Sequence, residues 1–292
     1  MTEVRELSGR KALVTGAAQG LGAAFARALA RAGASVALVD REERVRDTAA
    51  AIRAVVHGDD VHGDVHAGVH DLTDPAAVRA AVDEAAEALG GLDIVVNNAA
   101  VTLVSPTMGT DWDDAVELYG SVFDINTRAV FLVGRAAMPH LVRAGAADIV
   151  NITTDHIHTC GYPVAVEHPD GSTCPFADRP RAPLGNKYFD LYDASKWALK
   201  GYTQVWARAL GSHGVRVNSF GMGATDTPTF RGFLRGEPPA STLDADDVAA
   251  VLVDLLAEGP GGRTGDSVML WPHHPLGLPP VSLDGSLAGL DS

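Results

Sequence analysis

The sequence predicts an α/β protein built on one doubly wound parallel sheet. Short, continuously apolar runs alternate along the chain with longer, alanine-rich stretches of helical periodicity. The apolar runs are too continuous for a sheet with one wet face, so helices should cover both faces. Strands that alternate with helices in this way favour a parallel order. With 292 residues, of which 46% are hydrophobic, the chain is long enough for one large domain.

Each predicted element has a local reason. Buried strands are expected over 11–15, 35–40, 92–97, 147–153, 215–220 and 266–270. Helices are expected over 21–33, 74–90, 113–145, 193–211 and 244–259. Several of the helical stretches open on Asp and close on Gly, the residues favoured at N-caps and just beyond C-termini.

Three segments break the alternation. Residues 56–71 carry four histidines, and we expect them to form an exposed connection before the third strand. Residues 155–188 are rich in Pro, His and Gly, and the tail from residue 271 is rich in Pro. We predict a single domain over 1–270, with 155–188 as an inserted, lid-like segment and 271–292 as a C-terminal tail.

Charge and composition exclude several function classes. The net charge of −14 disfavours nonspecific binding to nucleic acid or to an anionic membrane. The first residues lack the apolar core of a signal peptide, and no apolar run is long enough to span a bilayer. Cys160 and Cys174 are therefore expected to be reduced thiols in a cytoplasmic protein.

The stretch "VTGAAQGLG" follows the first strand and opens the first helix. Gly16, Gly20 and Gly22 stand where the chain must turn tightly and where the backbone must approach a pyrophosphate. The spacing differs from the standard dinucleotide fingerprint, and such turns also occur for packing alone. Its position between a strand and a helix favours phosphate binding.

Asp40 ends the second strand and bears on the choice of cofactor. A carboxylate there can accept hydrogen bonds from both ribose hydroxyls of an adenosine and would repel a 2′-phosphate. Gln19, inside the turn, supplies no cation for a phosphate, whereas Arg41 could soften the preference. The sequence therefore favours NAD, with NADP as the alternative.

The ordered motifs resemble the classical short-chain dehydrogenase/reductase family from about Ser8 to Leu270. They are "TGAAQGLG", Asp40, "DLTD", "NNAA", Asn126, "NITT", "YDASK" and "VNSFGMGATDTP". The resemblance implies a Rossmann-type domain, a nicotinamide cofactor and hydride exchange with an alcohol or carbonyl. It implies that Tyr192 is the acid/base, Lys196 its partner, Thr154 the donor to the substrate oxygen and Asn126 the support of a proton relay. The cofactor-binding residues it implies are Gly16, Ala18, Gln19, Gly20, Leu21, Gly22, Asp40, Arg41, Asp71, Leu72, Asn98, Ala99, Tyr192, Lys196, Gly223, Thr225 and Thr227.

The spacing of Tyr192 and Lys196 suits this chemistry. A tyrosine has a pKa of about 10 and is a poor base near neutral pH. A lysine ammonium one helical turn away would stabilise the phenolate, so we expect the pKa of Tyr192 to be lowered. Lys196 could also bind the nicotinamide ribose and so position the hydride acceptor.

The sequence departs from the family pattern in several places. Thr154 stands where serine is usual, Ala100 where glycine is usual and Met222 where proline is usual. The distance from Thr154 to Tyr192 is far longer than the family usually allows, which is why 155–188 is taken as an insertion. Within it, Asp155, His156 and Tyr162 are candidate substrate contacts. The alternative is that the insertion is a surface segment that does not contact the substrate.

Two histidine-rich clusters contain residue types that can bind a metal. His57, His62, His66 and His70 are better explained as repeat expansion in a solvated loop. His156, His158, Cys160, His168 and Cys174 match no strong zinc pattern. We therefore predict no bound metal.

The sequence as a whole predicts an NAD-dependent oxidoreductase for a secondary alcohol or its ketone. The alternatives are an NADPH-dependent carbonyl reductase and a non-catalytic dinucleotide-sensing protein. The apolar faces of 129–142 and 196–210 favour a homo-oligomer, a dimer or tetramer, with a homotetramer as our expectation. The substrate and the physiological direction stay open.

Overall fold

The computed structural model describes residues 7–58, 63–103, 105–106, 110–159, 187–188, 190–234, 236–238, 242–270 and 281–282. Tyr162, His62, His168, Cys160, Cys174 and most of the 155–188 segment therefore lie outside the described residues. No helix in the described part of the chain is long and apolar enough to cross a membrane.

Strands and helices alternate as predicted. The strands are β1 (Lys11–Thr15), β2 (Ser35–Asp40), β3 (Val65–Val69), β4 (Ile94–Asn97), β5 (Ser105–Pro106), β6 (Ala147–Ile152), β7 (Lys187–Tyr188), β8 (Val215–Met222), β9 (Ser267–Leu270) and β10 (Val281–Ser282). The helices are α1 (Gly20–Arg31), α2 (Val45–Gly58), α3 (Pro75–Leu89), α4 (Trp112–Phe123), α5 (Val130–Ala144), α6 (His156–Thr159), α7 (Asp190–Leu210), α8 (Pro228–Phe233) and α9 (Ala245–Ala257). A π-helical turn over Asp124–Ala129 joins α4 to α5, and a 3-10 turn over Gly211–His213 follows α7.

The central sheet is parallel and doubly wound, which confirms the predicted fold class. Its order is β3-β2-β1-β4-β6-β8-β9, and β10 adds an antiparallel edge beside β9. The chain runs outward from β1 to β3, then returns to β4 on the other side of β1. The carboxyl ends of β1 and β4 therefore diverge at a topological switch point, where such sheets bind ligands.

Helices cover both faces of the sheet, as the continuous apolar strands require. Within β1, Ala12 and Val14 belong to one buried cluster with residues of α1, α2 and α9. Leu13 belongs to the other cluster, with residues of α3, α5 and α7. The alternation follows from the period of two along a strand.

The predicted N-caps Asp74 and Asp244 are confirmed, whereas Asp113 and Asp193 lie inside the first turns of α4 and α7. The Asp74 side chain accepts from the amide of Ala76, and Gly90 ends α3 at φ 70°. Asp244 accepts from the amides of Asp246 and Asp247 at the start of α9. Each cap satisfies backbone groups that the helix itself leaves unpaired.

The prediction for residues 56–71 was wrong. Instead of an exposed connection alone, this stretch contributes the end of α2 and the edge strand β3, which pairs with β2 from Val65 to Val69. The strand was not predicted because "VHAGV" is short and interrupted by a histidine and a glycine. An edge strand has a wet border, so it can carry polar residues that a central strand cannot.

Candidate active site

The glycine turn closes tightly against the end of β4. Gly16 and Gly20 have φ values of 66° and 57°, which favour glycine. A Cβ added at Gly22 would lie 2.1 Å from the carbonyl oxygen of Gly16, so only glycine fits there. The Asn98 side chain donates to the carbonyls of Thr15 at 2.9 Å and Gly16 at 3.1 Å. The turn is therefore packed closely against the end of β4 and leads directly into the N-terminus of α1, where backbone N–H groups favour an anion.

The expected residues around the turn lie together. The backbone amide of Ala18 donates to Asp40 at 3.0 Å, and the amide of Glu42 donates to the other oxygen of Asp40 at 3.1 Å. Gln19 immediately precedes α1, and Leu21 packs against the core. A carboxylate has about four acceptor sites, so Asp40 keeps acceptor capacity for a ribose.

Asp71 and Arg41 are close to each other at the carboxyl ends of β3 and β2. The amide and hydroxyl of Thr73 donate to Asp71 at 2.9 and 2.8 Å. These bonds, opposed by burial and aided by the charge of Arg41, lower the pKa of Asp71. Leu72 is buried. Asp71 therefore stays ionised, and the charge of Arg41 acts on it.

The "NNAA" segment follows β4 and uses its side chains within the protein. The amides of Asn98 and Ala99 both donate to Thr15 Oγ1 at 3.1 Å. The Asn97 side chain donates to Asn151 at 2.9 Å, whereas its own Oδ1 is buried without a protein partner among the described residues. The segment thus ties β4 to the glycine turn on one side and to β6 on the other.

Asn126 lies in the π-helical turn between α4 and α5 and is fully buried. Its side chain brackets Val101, accepting from the amide at 2.8 Å and donating to the carbonyl at 2.9 Å. It also donates to Ser195 Oγ at 3.0 Å, and Ser195 in turn donates to the Tyr192 carbonyl at 2.6 Å. Because a π-helical turn widens the helix, it projects this side chain where a regular turn would not.

Tyr192 and Lys196 lie on α7 as the four-residue spacing predicts. The Lys196 ammonium donates to the Ile152 carbonyl at 2.9 Å and lies 5.7 Å from the centre of the Tyr192 ring. Its side chain is buried, and burial lowers the pKa of Lys196 to about 8. A buried ammonium held by a carbonyl is poised to exchange its proton near neutral pH.

The expectation that Lys196 lowers the pKa of Tyr192 was wrong for this structure. Burial raises the pKa of Tyr192 to about 12, and the carboxylates of Asp155 and Asp193 add to the rise. Hydrogen bonds with the side chains of Thr154 and Thr102 act in the opposite direction. The ammonium donates to the Ile152 carbonyl, and burial is the largest cause of the raised pKa of Tyr192.

The residues after β6 form an acidic cluster beside Tyr192. Thr154 Oγ1 donates to Asp155 Oδ1 at 3.1 Å. The His156 ring packs edge-on against the Tyr192 ring, with centroids 5.9 Å apart, and its Nδ1 is 2.8 Å from Asp193 Oδ1. The structure therefore brings Thr154, Asp155 and His156 to Tyr192, as predicted from their order in the sequence.

The segment after β8 approaches the glycine turn from the other side. Thr225 donates to the carbonyl of Gly223 at 3.0 Å, and Thr227 caps α8 by accepting from Phe230 at 3.2 Å. A Cβ added at Gly20 would lie 3.5 Å from the Cβ of Thr227. The start of α8 therefore lies against the glycine turn.

The histidines of β3 and its flank pair with one glutamate. The Nε2 atoms of His66 and His70 lie 2.8 and 2.7 Å from the two oxygens of Glu84. Burial raises the pKa of Glu84, whereas the hydrogen bonds with the two histidines lower it. The net result is a lowered pKa of Glu84. Across the residues that the structure describes, no three His, Cys, Asp or Glu side chains gather where they could hold a metal ion.

Three residues beside Tyr192 were not predicted from the sequence to belong to this site. Thr102 contacts its hydroxyl, Ser195 links Asn126 to α7, and Asp193 pairs with His156. Ser195 and Asp193 stand inside "YDASK", so their nearness to Tyr192 was visible, whereas their partners were not. Nothing in the local pattern singles out Thr102.

The chain is similar in sequence and in fold to known short-chain dehydrogenases. Residues 10–163 and 182–237 match the family described as short chain dehydrogenase. A trans-4-hydroxycyclohexanecarboxylate dehydrogenase of Sinomonas cyclohexanicum is 30% identical over 89% of this chain and 90% of its own length. A 3-alpha-(or 20-beta)-hydroxysteroid dehydrogenase of Mycobacterium tuberculosis is 33% identical over 76% of this chain and 71% of its own. A solved short chain dehydrogenase from Burkholderia cenocepacia, in complex with NADP, has a TM-score of 0.69 at 32% identity and covers 91% of this chain and 98% of that one.

Proposed function

The chain belongs to the short-chain dehydrogenase family and is an alcohol dehydrogenase or ketoreductase of the short-chain type, and we propose that it exchanges a hydride between NAD and a secondary alcohol or its ketone. The observation that carries the proposal is the meeting of Tyr192, Lys196 and Thr154 at the carboxyl end of β6. A phenol and an ammonium in one buried site supply the acid/base chemistry that alcohol oxidation needs.

The described residues fit a dinucleotide. Gly22 and Gly16 leave no room for side chains between the turn and β4, which lets a phosphate approach the backbone. Asp40 would accept from the adenosine ribose, and Asp71 with Leu72 would border the adenine. When bound, the nicotinamide ring accepts or donates the hydride.

Each site residue has a proposed task. Tyr192 holds and moves the proton of the substrate hydroxyl, and Lys196 binds the nicotinamide ribose. Thr154 donates to the substrate oxygen. Asn126 holds Val101 and Ser195 and so positions α7.

Support for NAD over NADP comes from the surroundings of Asp40. The charge of Arg41 acts on Asp71, and Arg44 pairs with Glu42 at 2.6 Å. Arg44 therefore has a carboxylate partner, and Arg41 lies near a carboxylate. The solved Burkholderia relative carries NADP, which makes a direct comparison of kcat/KM for the two cofactors necessary. A higher kcat/KM with NADP would overturn the preference, and Asp40→Ser should narrow the gap between the two.

The insertion and the oligomer are also proposals. The family match leaves 164–181 uncovered, which supports an inserted segment before Tyr192.

Trp112, Tyr119 and Trp197 expose 78%, 52% and 44% of their surfaces on α4 and α7, more than an isolated protein favours. We propose that these faces join copies of the chain, and light scattering that reports a monomer would refute this.

The proposed function is tested by NADH production over a panel of secondary alcohols. Hydroxycyclohexanecarboxylates and hydroxysteroids belong in the panel because two relatives are named for them. Tyr192→Phe keeps the ring and removes the hydroxyl, and turnover should fall at least about 100-fold. Tyr119→Phe removes an exposed hydroxyl on α4 and is the matched control. Equal turnover by wild type and Tyr192→Phe would contradict the assignment.

A further inference from the structure

The Tyr192 hydroxyl has two threonine neighbours, and the proposed function uses only one of them. The side chains of Thr154 and Thr102 both form hydrogen bonds with this hydroxyl. Thr154 follows β6 and is assigned above to the substrate oxygen, whereas Thr102 follows β4 and has no assigned task. A hydroxyl that contacts the group taking up the substrate proton is well placed to affect that transfer.

Each threonine hydroxyl has a single proton to donate. In the unliganded site, Thr154 Oγ1 donates its proton to Asp155 Oδ1 at 3.1 Å. In the proposed reaction the same proton is donated to the substrate oxygen, so Thr154 has none for Tyr192 in either state. Thr102 is therefore the threonine that can donate to Tyr192 Oη while Thr154 serves another acceptor.

The fold holds Thr102 against α7 through Asn126. Strands β4 and β6 pair in parallel, so the segments that follow their carboxyl ends lie side by side. Asn126 brackets Val101, the residue before Thr102, by accepting from its amide at 2.8 Å and donating to its carbonyl at 2.9 Å. Asn126 also donates to Ser195 of α7 at 3.0 Å. One buried side chain thus ties the backbone before Thr102 to the helix that carries Tyr192.

We propose that Thr102 is a further catalytic residue, whose hydroxyl donates a hydrogen bond to the Tyr192 phenolate and stabilises it until the substrate proton arrives. This proposal rests on the proposed function of the same site. Asn126 is a positioning residue in this arrangement, because it acts through the backbone of Val101. The tasks of the other site residues are unchanged.

The proton transfer balances without any further reagent. In oxidation, the carbinol C–H bond breaks with its electron pair going to the nicotinamide ring, and the substrate O–H bond releases its proton to the Tyr192 phenolate. The carbinol carbon and its oxygen become the carbonyl of the ketone. Thr102 keeps its own proton throughout. In reduction, neutral Tyr192 gives its proton to the substrate oxygen, and Thr102 stabilises the phenolate that remains.

Charged and titratable groups face Tyr192 from three parts of the described chain. Asp155 follows β6, and His156 at the start of α6 packs edge-on against the Tyr192 ring. Helix α7 itself contributes Asp193 and Lys196, whose ammonium lies 5.7 Å from the ring centre. The segment after β4 contributes an uncharged hydroxyl, so it can stabilise a phenolate without adding a titrating group.

Burial makes a donor to the phenolate valuable. Burial is the largest cause that raises the pKa of Tyr192 to about 12, and the bond with Thr102 acts in the opposite direction. A donor lowers the pKa of an acid because its bond to the ionised form is stronger than its bond to the neutral form. Loss of one such bond corresponds to a change of about tenfold or more in the proton equilibrium.

The experiment compares wild type, Thr102→Val, Thr102→Ser and Thr153→Val as full-length proteins. Valine keeps the shape of threonine without its hydroxyl, whereas serine keeps the hydroxyl. Thr153 is buried, and its Oγ1 has no hydrogen-bond partner among the described residues, so Thr153→Val controls for the loss of a threonine hydroxyl. The value of kcat/KM for alcohol oxidation is measured against pH at saturating cofactor.

Oxidation needs Tyr192 ionised, so kcat/KM should fall as the pH falls below the pKa of this phenol in the enzyme–cofactor complex. Thr102→Val raises that pKa, so this acid limb should move to higher pH by about one unit, and kcat/KM at pH 7 should be about tenfold lower. The limb should stay at its wild-type position in Thr102→Ser and in Thr153→Val.

A second readout needs no substrate. Carbon NMR of protein labelled at the ring Cζ of its five tyrosines reports the hydrogen bonding of each hydroxyl. The resonance that is absent from Tyr192→Phe belongs to Tyr192. It should move in unliganded Thr102→Val and keep its place in Thr102→Ser and Thr153→Val.

Each outcome decides between the role of Thr102 and its premise. If wild type oxidises an alcohol and Thr102→Val keeps the wild-type acid limb, the role is refuted and the proposed function stands. A slower rate without a shift of the limb reports a structural effect alone and also refutes the role. An unmoved Tyr192 resonance refutes the contact without reference to any substrate. If wild type oxidises no alcohol with either cofactor, the proposed function fails and the catalytic role fails with it. A shifted limb and a moved resonance, both confined to Thr102→Val, support the role.

Discussion

Replacing Lys196 by methionine should make the protein more stable and less active. Lys196 is 3% exposed, and its burial lowers its pKa from an ordinary 10.5 to about 8. At about 1.4 kcal/mol for each pH unit, keeping this side chain charged costs the native state about 3 kcal/mol at neutral pH. Methionine has a similar length and carries no charge, so this cost disappears. The Ile152 carbonyl loses its hydrogen bond in the variant, and this loss lowers the free energy of unfolding by about 1–2 kcal/mol.

The expected result is a net gain of about 1–2 kcal/mol in the free energy of unfolding at pH 7. The gain should disappear as the pH rises. Between about pH 8 and 10.5 the native wild type has released the proton of Lys196, whereas the unfolded chain retains it. Wild-type stability therefore rises relative to the variant by about 1.4 kcal/mol for each pH unit in this window.

Urea unfolding of both proteins at pH 7, 8, 9 and 10 measures this difference. The series ends near pH 10 because the pKa of Tyr192 is about 12, so its phenol stays protonated throughout. Turnover by the variant is measured in parallel and should be lost, since the residue proposed to bind the ribose is gone. A difference between the two proteins that does not change with pH would refute the argument from the buried charge.

Three further changes test the fold around the site. Gly22→Ala places a Cβ 2.1 Å from the Gly16 carbonyl oxygen. The dissociation constant of NADH, measured by fluorescence, should therefore rise at least about tenfold. An unchanged constant would contradict the proposal that this turn binds the cofactor. Gly201→Ala, within α7, meets no atom within 4 Å and should raise the free energy of unfolding by about 0.5–1 kcal/mol in a urea titration; a loss would show strain not visible here. Asp148→Asn removes the carboxylate that buried Arg216 contacts at 2.7 Å, and urea unfolding should report a loss of about 3 kcal/mol; a loss below about 1 kcal/mol would mean that Glu258 compensates.

The buried charges at the amino ends of the strands explain why the last of these changes is costly. Arg10 contacts Asp93 at 2.8 Å and Asp148 at 2.7 Å, while Arg216 contacts Asp148 from the neighbouring strand. Burial raises the pKa of Asp148 and the two arginines oppose this. Removing one member of such a network leaves an uncompensated charge in a site of low polarity. The network lies at the edge of the sheet opposite to Tyr192.

The local pattern of the sequence was sufficient for most of the architecture. Apolar strands and capped helices depend on neighbours within a few residues, so they can be recognised from the order of residues alone. The glycine turn and the spacing of Tyr192 and Lys196 are equally local, and the structure brings them together as expected. The exceptions include α2, which was not predicted, and β3, whose pairing with β2 comes from the sheet and not from its own five residues.

Charge states in the site were decided only by the tertiary structure. The sequence places a lysine one turn from Tyr192, and from this we expected a phenolate of lowered pKa. The fold directs Lys196 at the Ile152 carbonyl and buries Tyr192 near two carboxylates, so the pKa of Tyr192 rises although hydrogen bonds with Thr154 and Thr102 oppose the rise. Desolvation and the distances between charges depend on packing among segments far apart in the chain. Order along the chain therefore determined which residues meet here, and packing decided which of them can hold a proton.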